Sequence, residues 1–347
     1  IMRNLQNKSY KVTVWAICFL LFSSCSPQYQ GPVSDHFDGD RFFNKAPDHS
    51  FTDMVKWWWE METIEWPAWV EDPMQPPPVD QVTGKKIRVT YINHATVLIQ
   101  VDGLNILTDP IWSLRAGPVS WLGVKRIRAP GVLMRDLPKI DYILLSHDHF
   151  DHLDLPTLGD LIARNNPQVL AGLGVKRLLA DQNILKVEEL DWWQAYQCPK
   201  TGHRFVFLPA IHNSGRGPMT GNRTLWGGFI IEGTFGQIYF GGDTGYGDFV
   251  HQISSRFKDI RLAIVPIGSY EKRWFMKSQH MNPKDAVKVH RILGAHQSMG
   301  IHYATFAEHP EQTIDAHERD LSKALVKYQI PAEKFWVLKF GEGRQLD

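Results

Sequence analysis

From Ile87 onward, short apolar runs rich in β-branched and aromatic residues recur: Ile87–Ile92, Thr96–Val101, Asn105–Leu107, Tyr142–Leu145, Phe205–Leu208, Phe229–Ile231, Ile238–Phe240 and Leu262–Val265. Runs of this length, bounded by Gly, Asp, Asn or Pro, read as strands. Between them the apolar positions switch to helical spacing over Leu155–Arg164, Pro283–Leu293 and Glu311–Tyr328, and Pro283 suits the first turn of a helix. Strands interleaved with helices predict sheets covered by helices, an α/β class without internal repeats, and spacing alone does not choose among α/β folds.

Upstream the pattern differs. Arg3, Lys8 and Lys11 precede an apolar run from Val12 to Phe22, and Ser23-Ser24-Cys25 follows. A bilayer crossing takes roughly 20 apolar residues and a signal h-region about 7 to 15, so the run fits an export signal. The small residues before Cys25 resemble a bacterial lipobox, with Cys25 acylated and becoming the mature N-terminus. Residues 1–25 are therefore expected to be a signal peptide, and the mature protein a membrane-anchored lipoprotein of the bacterial cell envelope. Plain secretion to the periplasm or an uncleaved anchor helix are the alternatives. Residues 26–86 turn Trp-rich at Trp57-Trp58-Trp59, Trp66 and Trp69 before Pro76-Pro77-Pro78. This extension is expected to pack on the main domain, residues 87–347, or to face lipid beside it.

Composition narrows the function. With 43% hydrophobic and 22% charged residues the chain is an ordinary globular one. Its 38 Lys+Arg against 37 Asp+Glu give no field to hold a polyanion, which argues against nucleic acid. With Cys18 inside the signal and Cys25 lipidated, Cys198 is left without an internal disulfide partner. Stability then rests on packing and metal.

The strongest chemical signal is Ser146-His147-Asp148-His149-Phe150-Asp151-His152, directly after an apolar run. A loop leaving a buried strand can turn His147, His149, Asp151 and His152 toward one point, and neutral imidazole with carboxylate is a ligand set that zinc takes. Three further donors end apolar runs: His212, Asp243 within Gly241-Gly242-Asp243-Thr244-Gly245, and His302. Singly, each reads as a satisfied residue or a turn. A structural zinc site is usually closed and often uses Cys, whereas seven donors without Cys suit two metals with open positions.

The order His-x-His-x-Asp-His, His, Asp, His resembles the metallo-β-lactamase superfamily. The resemblance implies an αββα sandwich with the site at one edge and two zinc ions. His147, His149 and His212 would hold one ion, Asp151, His152 and His302 the other, with Asp243 bridging and Asp109 supporting from outside. A narrower resemblance is to the N-acylphosphatidylethanolamine-hydrolysing phospholipase D family. It rests on His94-Ala95-Thr96-Val97, Leu107-Thr108-Asp109-Pro110-Ile111, Glu189-Leu190-Asp191-Trp192-Trp193, Gly242-Asp243-Thr244-Gly245-Tyr246, Pro266-Ile267-Gly268, and Tyr270-Glu271 with Arg273-Trp274-Phe275-Met276-Lys277. It implies a phospholipid substrate met at a membrane surface, cleaved to phosphatidic acid and an N-acylethanolamine, and a homodimer. His280, Gln279 and Arg216 would meet the substrate, with His280 and Asp243 taking part in catalysis. Asn213-Ser214-Gly215 stands where that family has bulkier groups, which changes the pocket. The competing readings are a lactonase, a nuclease or another phosphodiesterase on the same fold, a class B β-lactamase, and a lipid-anchored binding protein that holds metal without turnover.

Overall fold

A computed structural model describes residues 29–44, 50–199, 201–217, 220–307 and 311–347; the expected signal and Cys25 lie outside the described residues. No described helix is long and apolar enough to cross a membrane.

The strands are β1 Ile87–Asn93, β2 Thr96–Val101, β3 Leu104–Thr108, β4 Arg115–Val119, β5 Leu122–Lys125, β6 Tyr142–Leu144, β7 Gln168–Gly172, β8 Val187–Leu190, β9 Ala195–Gln197, β10 Arg204–Leu208, β11 Gly228–Gly233, β12 Gly236–Phe240, β13 Ile260–Pro266, β14 Gln297–Ile301, β15 Phe335–Trp336 and β16 Gly343–Leu346. The helices are α1 Phe51–Glu60, α2 Leu155–Asn165, α3 Val175–Ala180, α4 Phe249–Arg256, α5 Arg273–Met276, α6 Pro283–Leu293 and α7 Ala316–Tyr328. One seven-stranded sheet has the order β16-β1-β2-β3-β6-β7-β8, a second has β15-β14-β13-β12-β11-β10-β9, and β4 and β5 form a separate hairpin.

Successive strand residues point to opposite faces, and both faces are covered. Val97, Ile99, Leu144 and Leu170 of the first sheet belong to the core shared with Phe205, Phe207, Phe229 and Phe240 of the second. Their neighbours Leu98, Ile143, Val169 and Ala171 pack instead on Leu158 and Leu161 of α2 and on Val175 and Leu178 of α3. Helices α6 and α7 cover the second sheet through Val287, Val289, Leu321 and Leu325. Two-sided burial is why the runs are continuous rather than alternating, and the layers make the αββα sandwich expected.

Helix boundaries follow local chemistry. Asn282 caps α6 by accepting from the Asp285 amide, Pro283 opens it, and Gly294 at φ 61 closes it. Helix α7 begins at Ala316, not at Glu311. The Gln312 carbonyl accepts from the Trp66 indole and its side-chain oxygen from the Tyr270 amide, so this stretch is committed to tertiary contacts.

The extension splits in the same way. Phe37 and Phe42 are buried in the main core, and Trp57 stacks on Phe275 with centroids 4.9 Å apart. Trp58 and Trp59, on the other face of α1, are 54% and 73% exposed. Trp121, at the turn of the β4–β5 hairpin, is 74% exposed.

Candidate metal centre

Strand ends from both sheets gather at one edge of the sandwich. The first sheet supplies Asp109 after β3, His147, His149, Asp151 and His152 after β6, and His94 at the β1–β2 turn. The second supplies His212 after β10, Asp243 after β12 and His302 after β14. Two glycines permit the approach. A Cβ on Gly242, at φ 56, would meet the Ser146 side chain at 2.5 Å, and one on Gly268 would meet the His302 carbonyl at 1.7 Å.

The donors form two halves. In one, His147 Nε2 lies 2.9 Å from His149 Nδ1, and His212 Nε2 lies 3.2 and 3.3 Å from those two nitrogens. The outer nitrogens are engaged elsewhere: His147 Nδ1 donates to Ser146 Oγ at 2.9 Å and His212 Nδ1 to the Gln279 carbonyl at 3.1 Å. Burial above all depresses these imidazoles, His147 well below the usual range and His212 to about 3. His147 and His212 are therefore neutral and turn their Nε2 lone pairs toward each other.

In the other half, Asp243 Oδ2 is 3.0 Å from His302 Nε2 and 3.2 Å from His152 Nε2, while Asp151 Oδ2 is 3.5 and 3.3 Å from the same nitrogens. Burial pulls His302 down, but the carboxylates of Asp243 and Asp151 outweigh it and push the imidazole up to about 10. His152 is raised likewise, against its burial, by Asp243, Asp151 and Asp109. Asp243 Oδ2 is also 3.9 Å from His212 Nε2, so this carboxylate lies between the halves.

These residues fit a cation pair. Lone pairs facing one another at about 3 Å repel unless a cation lies among them, and the buried His152 Nε2, His302 Nε2 and Asp243 Oδ1 have no hydrogen-bond partner. All seven donors named from the sequence are brought together.

Residues around the donors orient them. Asp109 accepts from the Ser146 amide at 2.7 Å and from Ser146 Oγ at 2.6 Å, and its Oδ2 takes His152 Nδ1 at 2.8 Å. His94, which sequence reasoning did not single out, donates Nε2–H to Asp151 Oδ2 at 2.8 Å. A lone His at a turn carries no signature, and its only signal was the His94–Val97 match. A cavity of about 480 Å³ opens onto His149, Asp151, His212, Asp243, Gln279 and His280, walled by Trp57, Phe150, Phe275, Met276 and the hairpin glycines Gly117 and Gly123. His280 Nδ1 is 3.7 Å from Asp243 Oδ2. Arg216 is absent from that lining. Its Nη1 donates to the carbonyls of Asp148 and Leu153.

The model of the β-lactamase superfamily domain matches residues 104–303. N-acyl-phosphatidylethanolamine-hydrolyzing phospholipase D 1 of Caenorhabditis elegans is 40% identical over 227 residues, 62% of this chain and 64% of that protein. The mitochondrial enzyme of that activity from Saccharomyces cerevisiae is 34% identical over 251 residues, 70% of this chain and 53% of its own length. The chain thus spans less than two thirds of either relative. A metallo hydrolase from the archaeon Ignicoccus hospitalis superposes with a TM-score of 0.58 at 19% identity, over 76% of this chain and 99% of that one, a likeness of fold.

Proposed function

We propose that this chain, which belongs to the metallo-β-lactamase superfamily, is a two-zinc phosphodiesterase that cleaves N-acylphosphatidylethanolamine to phosphatidic acid and an N-acylethanolamine. The observation that carries the reading is the meeting of a seven-donor centre with a cavity whose walls are apolar on one side and titratable on the other. Resemblance to the two phospholipase D relatives supplies the substrate class.

His147, His149 and His212 would hold one zinc, and Asp151, His152 and His302 the other, with Asp243 shared. When bound, the pair supplies Lewis-acid activation of water and neutralises phosphoryl charge. The protein's own part is positional. Asp109, Ser146 and the Gln279 carbonyl fix which nitrogen of His152, His147 and His212 faces inward. Trp57, Phe150, Phe275 and Met276 line an apolar wall for a lipid arm and exclude water from it. His280 faces the Asp243 carboxylate at the cavity floor, where it can hold a phosphate oxygen or protonate the departing alkoxide, and Gln279 lies beside it. The exposed Trp58 and Trp59 on α1 suit contact with a membrane surface, since Trp partitions to the interface. Acyl chains on Cys25 would hold the protein at the cell envelope.

Mass spectrometry of products from a panel of N-acyl and ordinary phosphatidylethanolamine, a lactone and nitrocefin tests this. Phosphatidic acid from the N-acyl lipid is expected. Turnover of the lactone or nitrocefin alone would assign another hydrolase, and bound metal with no turnover a binding protein.

A further inference from the structure

Two loops that carry metal donors are tied to each other by a reciprocal pair of contacts. Asp148, within the loop that carries His147 to His152, is 3% exposed, and its Oδ1 accepts from the Gly215 amide at 2.6 Å. Arg216, in the loop after His212, returns Nη1 to the Asp148 carbonyl at 2.8 Å and to the Leu153 carbonyl at 2.7 Å. One nitrogen thereby brackets the donor loop near both its ends. The same guanidinium lies over the Phe150 ring, 4.1 Å from its centroid. The Arg216 amide is in turn held by Thr220 Oγ1 at 2.6 Å, and the Ser214 hydroxyl by the Thr224 carbonyl at 2.6 Å, so the second loop is itself braced.

His149 lies between Asp148 and Phe150, two of the three residues that Arg216 contacts, Leu153 being the third. His147, His152 and His212 each have a ring nitrogen fixed by a group outside the donor set, namely Ser146, Asp109 and the Gln279 carbonyl. Among the described residues, the His149 ring has hydrogen-bond-range contacts with His147 and His212 alone. Its direction is therefore set by the chain on either side of it, where Arg216 holds the Asp148 carbonyl and the Phe150 ring. The clasp also spans the two sheets, because His147 and His149 follow β6 of the first and His212 follows β10 of the second.

We infer that Arg216 and Asp148 are positioning residues for His149, and that through it they set the affinity of the three-histidine half of the centre. The inference rests on the two-metal reading and is independent of the substrate. Arginine suits the task because its planar guanidinium stacks on the Phe150 ring while Nη1 meets two carbonyls, whereas a lysine ammonium has no plane to stack.

The test is titration of the metal-free full chain with zinc alone against a competing chelator, resolving two binding steps. Removing an orienting contact outside the donor set typically costs about 10 to 100-fold in metal affinity. Arg216→Met should weaken one step by about that factor and leave the other unchanged, with Arg216→Lys recovering only part. Asp148→Ala should follow Arg216→Met, whereas Asp148→Asn, which keeps an acceptor for the Gly215 amide, should stay near the parent protein. In a His149→Ala background, Arg216→Met should add nothing. Equal weakening of both steps, or additive losses in the double variant, would overturn the clasp. If Arg216→Met fails to fold, Asp148→Ala decides by the same criteria. A parent protein that binds a single ion overturns the two-metal reading itself, a result distinct from failure of the clasp.

Discussion

The two halves of the candidate metal centre share Asp243 and differ in nearly everything else. Three imidazoles make up one, and burial lowers the pKa of each. The other sets two imidazoles against Asp151 and Asp243, whose charge raises the pKa of both rings against their burial. The supports differ as well. The carboxylate half has Asp109 directly on His152 and His94 on Asp151, and Asp109 reaches the other half only through Ser146. The three-histidine half has a hydroxyl, a backbone carbonyl and a loop clasp. A donor set can therefore be complete in sequence while its halves depend on different parts of the fold.

The largest effect should come from the residue the halves share. Asp243→Ala removes the carboxylate that lies 3.0 Å from His302 Nε2 and 3.9 Å from His212 Nε2. Turnover should fall by on the order of a thousandfold or more, since several kcal/mol of charge stabilisation goes with it. Near-normal kcat would mean the halves are not linked through Asp243. Ligand variants should separate them: His212→Ala and His302→Ala are each expected to retain one zinc, in opposite halves, by elemental analysis. Loss of both ions from either variant would contradict the division.

A smaller effect, about 10 to 100-fold in metal affinity, is expected from His94→Phe, and in the carboxylate half alone. Chelator competition that showed both binding steps weakened would deny the separate supports. The smallest effect should come from outside both halves. Replacing Trp58 and Trp59 by Ser should weaken binding to phospholipid vesicles by roughly a few-fold, through lost interfacial burial. Zinc content and turnover of a soluble diester should not change. Altered zinc content would place α1 in the support of the centre.

Sequence alone carried the donors further than their surroundings. Four ligand-type residues within His147–His152 can hardly be a surface loop, and the apolar runs that end in His212, Asp243 and His302 bring those residues to one edge once the sheets form. Arg216 shows the limit. A cation shortly after a ligand gives no direction, and only the fold shows its guanidinium meeting backbone carbonyls. His94 was hidden because one imidazole between two strands has no spacing to recognise. The hairpin strands escaped because Gly117, Pro118 and Gly123 interrupt any apolar run. Helix α1 had a legible start, Ser50 capping Asp53 with the reciprocal bond, but the Trp triplet obscured it. The late start of α7 depended on Gln312 contacts with Trp66 and Tyr270, far away in sequence.

The proposed reaction is hydrolysis at phosphorus with N-acylethanolamine as the leaving group. It is tested most directly by turning over N-acylphosphatidylethanolamine with the zinc-loaded protein in oxygen-18 water and weighing both products. Attack at phosphorus with the diacylglycerol arm retained should place one labelled oxygen in phosphatidic acid and none in the N-acylethanolamine. Diacylglycerol with a labelled phosphorylated N-acylethanolamine would show the substrate bound the other way round, and unlabelled phosphatidic acid would contradict attack by water at phosphorus.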